Sequence, residues 1–449
     1  MMDPLLSLSA LDLVHRMRSG AVSAVEVMQA HLRRIDMLEP SIRAWAHLNR
    51  ELALAAAARA DSARQAGHQL GVLHGLPVGV KDIIDTADMP TEYGTRVHQG
   101  RRPAQDATIV ARLRAAGAIV LGKTVTSEYA LYVPGPTRNP WDVARTPGGS
   151  SSGSAAAVAA RMVPVALATQ SNGSTIRPAS FCGIVGYKPS LGVLPRTGIL
   201  QQSTMLDQPG VMARTVADAA LLTDAVSGRD AADEHSLDLS AKLLDAACGG
   251  RRPPRFGFVR GPYWARADAE TRAAVESFVR ALEVPVIELD LPTAFVTAAD
   301  TLSILMEAGI ARAYRADYDR ARAWMPELVN RMIERGQGLS GAQVRDALAR
   351  REDLVRLFDQ IAAPFDALLT PAAAGVAPMV SQGTGDPIFA TTWTLVGAPS
   401  VTLPVLTGSA GLPIGLQLVA GSHRDASLLG AASWVMRTST IEAETACAF

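Results

Sequence analysis

Apolar positions recur at helical spacing early in the chain: Leu11, Val14 and Met17, then Val25, Met28, Leu32 and Ile35, followed by an Ala-rich run over 52–66. Residues 3–67 are therefore read as helices. The pattern changes at Gly71. From there short apolar runs of strand length (LPVGV, AIVLG, VPVAL, GIVGY) are punctuated by Gly and Pro and separated by helical patterns at 108–116 and 155–161. Such alternation predicts an α/β fold, with helices packed on a largely parallel or mixed sheet. From about Thr215 to Gln360 the pattern turns mostly helical, with strand candidates at 256–259 and 285–289 and Ser340 as N-cap of a helix reaching Gln360. After Asp366 the short-strand texture returns (ALLTP, SVTLPVL, IGLQLVA). The tail is thus expected to complete the same sheet around a helical insertion.

Composition narrows the function. The 449 residues carry 43 Lys+Arg against 43 Asp+Glu, without the basic excess that binding to nucleic acid or a membrane surface requires. A chain of this length buries a core without metals or disulfides. Its three cysteines, Cys182, Cys248 and Cys447, are far apart and form no C-x-x-C pair. They are read as buried thiols in a reducing compartment, and no metal site is expected. Asp3 and the lack of a basic-then-apolar N-terminus argue against a signal peptide; Arg161 and Pro164 break the most apolar stretch, 154–169. A soluble cytoplasmic protein is expected. Length alone suggests about three domains, but one large domain with an insertion fits the pattern better.

Two motifs mislead. Gly117 to Thr124 satisfies G-x-x-x-x-G-K-T, but the four intervening residues are Ala118, Ile119, Val120 and Leu121. A phosphate loop exposes backbone amides there, whereas this run reads as a buried strand. Gly149-Ser-Ser-Ser-Gly153 satisfies G-x-S-x-G, but a loop precedes it instead of the strand a nucleophile elbow needs. None of the eight scattered histidines is an obvious base.

Three segments carry the chemistry. An apolar strand closes on Lys81 in GVLHGLPVGVKD; a lysine in apolar surroundings is costly to ionise and can serve as a base. PGGSSSGS at 147–154 opens a helix. TQSNGSTIRPAS at 169–180 follows an apolar run and could surround a hydroxyl with backbone N–H groups, as a tetrahedral oxyanion requires. Taken singly, each has an ordinary explanation: a lysine snorkelling from a strand end, a capped flexible loop, a polar turn. Together they match more. With LHGLPVGVKDIID, GTRVHQGRRPAQDATIVARLRAAGAIVLGKT, TRNPWDVARTPGGSSSGSAAAVAA, NGSTIRPASFCGIVGYKPSLG, DQPGVMARTVADAALL and LVGAPSVTLPV, the chain resembles the amidase signature family over nearly its whole length.

The resemblance implies one large α/β/α domain whose mixed, twisted central sheet is flanked by helices. An N-terminal helical arm would cover 1–67 and the signature domain 68–449, with a mainly helical lid at about 225–360. It implies a Ser–cis-Ser–Lys triad: Ser174 as nucleophile, Ser150 after a cis peptide from Gly149, and Lys81 as base. Backbone amides of Ser171, Asn172, Gly173 and Ser174 would hold the oxyanion, supported by Gly149, Ser151, Gln170 and Arg177. Three positions depart from the commoner motif: Gln170 replaces an acid, Asn172 replaces a small residue, and Arg177 falls one place later. Thr175 is the rival nucleophile if the alignment slips by one.

The expected activity is hydrolysis of a small, apolar or aryl amide through an acyl-enzyme, without metal or cofactor; carbamates, urethanes and esters would be open to the same chemistry. Tyr132, Val133, Phe389 and Trp393 are candidates for the substrate pocket, beside Leu131 and Leu395. The expected partner is a small-molecule amide or carbamate, for a monomer or homodimer. The same resemblance allows a glutaminase-like A subunit of a tRNA amidotransferase, or an allophanate- or carboxybiuret-type hydrolase. A catalytically inactive binding protein of this fold is disfavoured because all three triad residues are present.

Overall fold

The protein, a computed structural model, is described over residues 2–239, 241–249, 252–408 and 410–439. Among the described residues eleven strands form one sheet: β1 (Trp45–Leu48), β2 (Pro77–Lys81), β3 (Ile119–Thr124), β4 (Val165–Gln170), β5 (Val185–Lys188), β6 (Gln208–Ala213), β7 (Phe256–Val259), β8 (Val286–Leu289), β9 (Ala367–Pro371), β10 (Ser400–Thr407) and β11 (Pro413–Val419). Their order is β1-β3-β2-β4-β6-β5-β10-β11-β9-β7-β8. β2 runs parallel to β3 and β4, and β7 parallel to β8 and β9. The other pairs are antiparallel, so the sheet is mixed, as expected.

The central strands are buried throughout. Their near-continuous apolar runs suit strands covered by helices on both faces. The apparent phosphate loop is β3: Lys123 is fully buried, its amine donating to the Ile84 carbonyl and to Thr91 Oγ1 at 2.5 and 2.6 Å. Residues 1–67 contain the helices Ala10–Ser19, Ala24–Ile42 and Arg50–Gln65, and also β1, which pairs with β3 at the sheet edge. Strand β1 was not foreseen.

In the 225–360 stretch, β7 and β8 extend the far end of the sheet where strands were expected. Helices Ala298–Ala313, Glu327–Gly338 and Gly341–Ala362 pack on one another through a second core, including Leu302, Ile310, Val329, Ile333 and Leu354. Ser340 caps the last of these in a capping box with Gln343. By length and composition, 293–313 could cross a membrane, but half of it is buried against the rest of the protein.

The cysteine expectation holds only in part. Cys182 is buried and Cys248 is exposed; Cys447 lies outside the described residues. Among the described residues no group of three His, Cys, Asp or Glu side chains is arranged to hold a metal.

Candidate active site

Lys81 is the last residue of β2 and Gln170 the last of β4. These strands are parallel neighbours, so their carboxyl ends, and the turn over 171–175, lie side by side. Carboxyl ends of parallel strands are where α/β sheets place ligands. The 147–151 loop meets both strand ends, Ser150 accepting from Lys81 and Ser151 Oγ from the Thr169 amide, and helix Ser152–Ala159 follows it. A Cβ on Gly153 would sit 2.3 Å from the Ala44 carbonyl oxygen and the Val125 nitrogen. Only glycine allows that approach.

Here the three segments converge. The Lys81 amine donates to Ser150 Oγ at 2.7 Å and to Thr169 Oγ1 at 2.8 Å. Lys81 has no accessible surface and Ser150 almost none. Desolvation drives the lysine well below its ordinary value, opposed only by the charge of Asp207. The Gly149–Ser150 peptide is cis. Ser174 is partly exposed, in contrast to the buried Lys81 and Ser150. Thr175 is fully buried, its Oγ1 without a hydrogen-bond partner among the described residues. A substrate can therefore reach Ser174 but not Thr175.

The variant positions have structural work. Gln170 Oε1 accepts the Thr175 and Ile176 amides at 2.9 and 3.0 Å, while its Nε2 donates to Thr394. That clamps the far end of the turn. The amides of Asn172, Gly173 and Ser174 donate to no group among the described residues. Asn172 donates to Tyr132 Oη at 3.1 Å and accepts from Thr391 Oγ1 at 2.7 Å. Arg177 is buried and donates to the Gly149 carbonyl at 2.6 Å. Burial lowers its guanidinium to about 10. Ser151 serves the backbone: its hydroxyl lies between the Thr169 amide and carbonyl.

Beside the turn lies a cavity of about 350 Å³ lined by Tyr132 and Asn172, by Leu302 and Met306 from one helix, and by Leu328 and Met332 from another. Glu307 and Arg335 also line it, but they are spent on each other, Arg335 Nε donating to Glu307 at 2.9 Å. Tyr132 thus borders the cavity. Trp393 is core, packed on Phe358 with ring centroids 5.4 Å apart, and Phe389 is buried with Ala267 and Ile388. Val133 packs against the second core. Thr391, Thr394 and Asp207 also neighbour the site without having been singled out in the sequence, and Thr169, at the head of the 169–180 segment, had no role of its own there. The helical wall of the cavity likewise carries no motif in the sequence.

The sequence profile described as Amidase matches residues 26–429. The chain is 37% identical to the A component of the glutamyl-tRNA(Gln) amidotransferase of Chloroflexus aggregans, with 92% of each chain covered. Among solved structures, a chain from a vestigial protein complex bearing on the origin of an s-triazine catabolic enzyme superposes with TM-score 0.90 at 28% identity, covering 96% of this chain and 98% of the other. The peptide amidase of Stenotrophomonas maltophilia superposes with TM-score 0.84 at 31% identity, covering 97% and 98%.

Proposed function

Since the chain belongs to the amidase signature family, we propose that it hydrolyses the C–N bond of a carboxamide through an acyl-enzyme on Ser174. The observation that carries this reading is the 2.7 Å hydrogen bond from a fully buried lysine to Ser150, whose neighbour Ser151 donates its amide to the carbonyl of the partly exposed Ser174. Neutral Lys81 takes the Ser150 proton as Ser150 takes that of Ser174, whose oxygen attacks the carbonyl carbon. The free amides of the 172–174 turn receive the oxyanion, each such donor contributing about 3 kcal/mol. Collapse breaks the C–N bond as Ser150, resupplied by Lys81, gives its proton to the leaving nitrogen. Water then repeats the sequence on the ester and frees Ser174.

Two substrate readings have support. The curated relatives, named as the A components of amidotransferases, favour glutamine as amide donor in a complex, and they favour it more strongly than a stand-alone amidase. The apolar cavity walls, whose carboxylate and guanidinium neutralise each other, favour an uncharged aliphatic or aryl acyl group; carbamates share that chemistry. The test is a panel of apolar amides, carbamates, ureido compounds and glutamine, assayed with and without the other amidotransferase components. Glutamine turnover confined to the complex selects the first reading, and partner-free turnover of apolar amides the second. Under both, Ser174→Ala removes turnover by at least about 10³-fold with the fold retained. Residual activity near wild type would sink the nucleophile assignment.

A further inference from the structure

Asp207 lies outside the residues assigned to the triad, yet it touches the site by two routes. Its Oδ1 accepts from Ser171 Oγ at 2.5 Å, and its Oδ2 accepts the Gln202 and Ser203 amides at 2.7 and 2.9 Å. The carboxylate is thereby fixed by a backbone clamp on one side and grips the first residue of the oxyanion turn on the other. The clamp itself is rigidly seated. Ser203 donates to the Leu305 carbonyl, and the helix Ala298–Ala313 approaches so closely that a Cβ on Gly309 would lie 2.3 Å from the Gln202 carbonyl oxygen. A small cavity of about 20 Å³ is lined by both Asp207 and the lysine-bound Thr169, with Ser171, Gln208 and Arg196 among others.

The second route is electrostatic. Charged and titratable groups near Asp207 are Lys81 on β2, Arg196, and Tyr314 at the end of the Ala298–Ala313 helix. Arg196 is bound to Asp233 at 2.6 Å, so much of its charge is already compensated. Burial raises the Asp207 carboxyl, its hydrogen bonds to Ser171, Ser203 and Gln202 oppose this, and its charge favours the protonated form of Lys81.

We propose that Asp207 is a positioning residue for acylation: through Ser171 it sets the oxyanion turn, and it shares a small cavity with Thr169, the hydroxyl that holds Lys81. This rests on the Ser174 reading above but not on any particular substrate.

The test separates the two routes, using an uncharged fluorophosphonate that labels Ser174 and the full chain. Asp207→Asn removes the charge and leaves one oxygen, which can accept from Ser171 or from the backbone clamp but not from both. Ser171→Ala keeps the charge but removes the bridge, and Ser171→Thr restores a hydroxyl. Labelling should slow roughly 10- to 100-fold in Asp207→Asn and Ser171→Ala and recover in Ser171→Thr. Only Asp207→Asn should also move the acid limb of the pH–rate profile, towards lower pH, because protonated Lys81 has lost its stabilising anion. Wild-type rates in either variant overturn the proposal. So does a slowed Asp207→Asn whose acid limb stays in place, which marks a merely structural acid. A wild-type chain whose Ser174 resists the probe overturns the Ser174 reading and this proposal with it, whereas normal wild-type labelling with indifferent variants overturns this proposal alone.

Discussion

A lysine amine with no accessible surface and two hydroxyl partners cannot recover its hydration, so the fold disfavours the protonated form of Lys81. The depressed value has a definite sign in both activity and stability. Amide hydrolysis should rise with pH as Lys81 loses its proton, and an acid optimum would contradict a lysine base. The unfolded chain binds this proton more readily than the folded one, so wild-type stability should gain with rising pH up to the ordinary lysine range. Lys81→Met should abolish turnover and remove that gain, as the difference in Tm between variant and wild type measured against pH would reveal. Lys81, Ser150 and Ser174 stand out as a candidate triad only when three unremarkable segments are taken together. Thr169 and Asp207 carry no pattern of their own, because a threonine at a strand end and an acid before a glutamine are common everywhere.

At the scale of elements, the long periodic segments were readable and the short ones were not. The helix Gly341–Ala362 begins at Ser340 as its capping signature predicts, since the Ser340 hydroxyl and the Gln343 side chain satisfy each other's backbone amides. Strand β1 escaped notice because four residues between two strong helices show no usable period; its pairing with β3, Trp45 opposite Thr124, makes it a strand. The loop that delivers Ser150 depends on a contact rather than a propensity. Gly153 donates to the Val125 carbonyl at 2.9 Å and has no room for a methyl group. Gly153→Ala should therefore destabilise the protein by about 2 kcal/mol or more, although alanine is the better helix former. Denaturant midpoints would register the loss; an unchanged or raised midpoint would refute the packing argument.

For the whole molecule, the question is what the helices of the 298–362 stretch do for the site at the centre of the sheet. They supply the apolar wall of the cavity beside Asn172 and the Glu307–Arg335 pair. An acyl group entering there meets little uncompensated charge, and a charged one would be desolvated without a partner. Met332→Arg should reverse this. The variant is expected to lower kcat/KM for an apolar amide at least roughly tenfold while improving the relative rate for an amide whose acyl chain ends in a carboxylate. Equal ratios in variant and wild type would show that the acyl group binds elsewhere.

Several features followed from the sequence alone: helices where apolar residues recur at helical spacing, a mixed sheet of short buried strands, a buried strand in place of a phosphate loop, and the residues of the candidate triad through their family resemblance. These depend on local periodicity and on short motifs. Only the tertiary structure decided that Ser174 is accessible while Thr175 is sealed, that Gln170 clamps the turn, that Trp393 belongs to the core, and that the cavity wall comes from helices more than a hundred residues away from Ser174. Burial, hydrogen-bond partnership and cavity lining arise between segments distant along the chain, and no local pattern of residues encodes them.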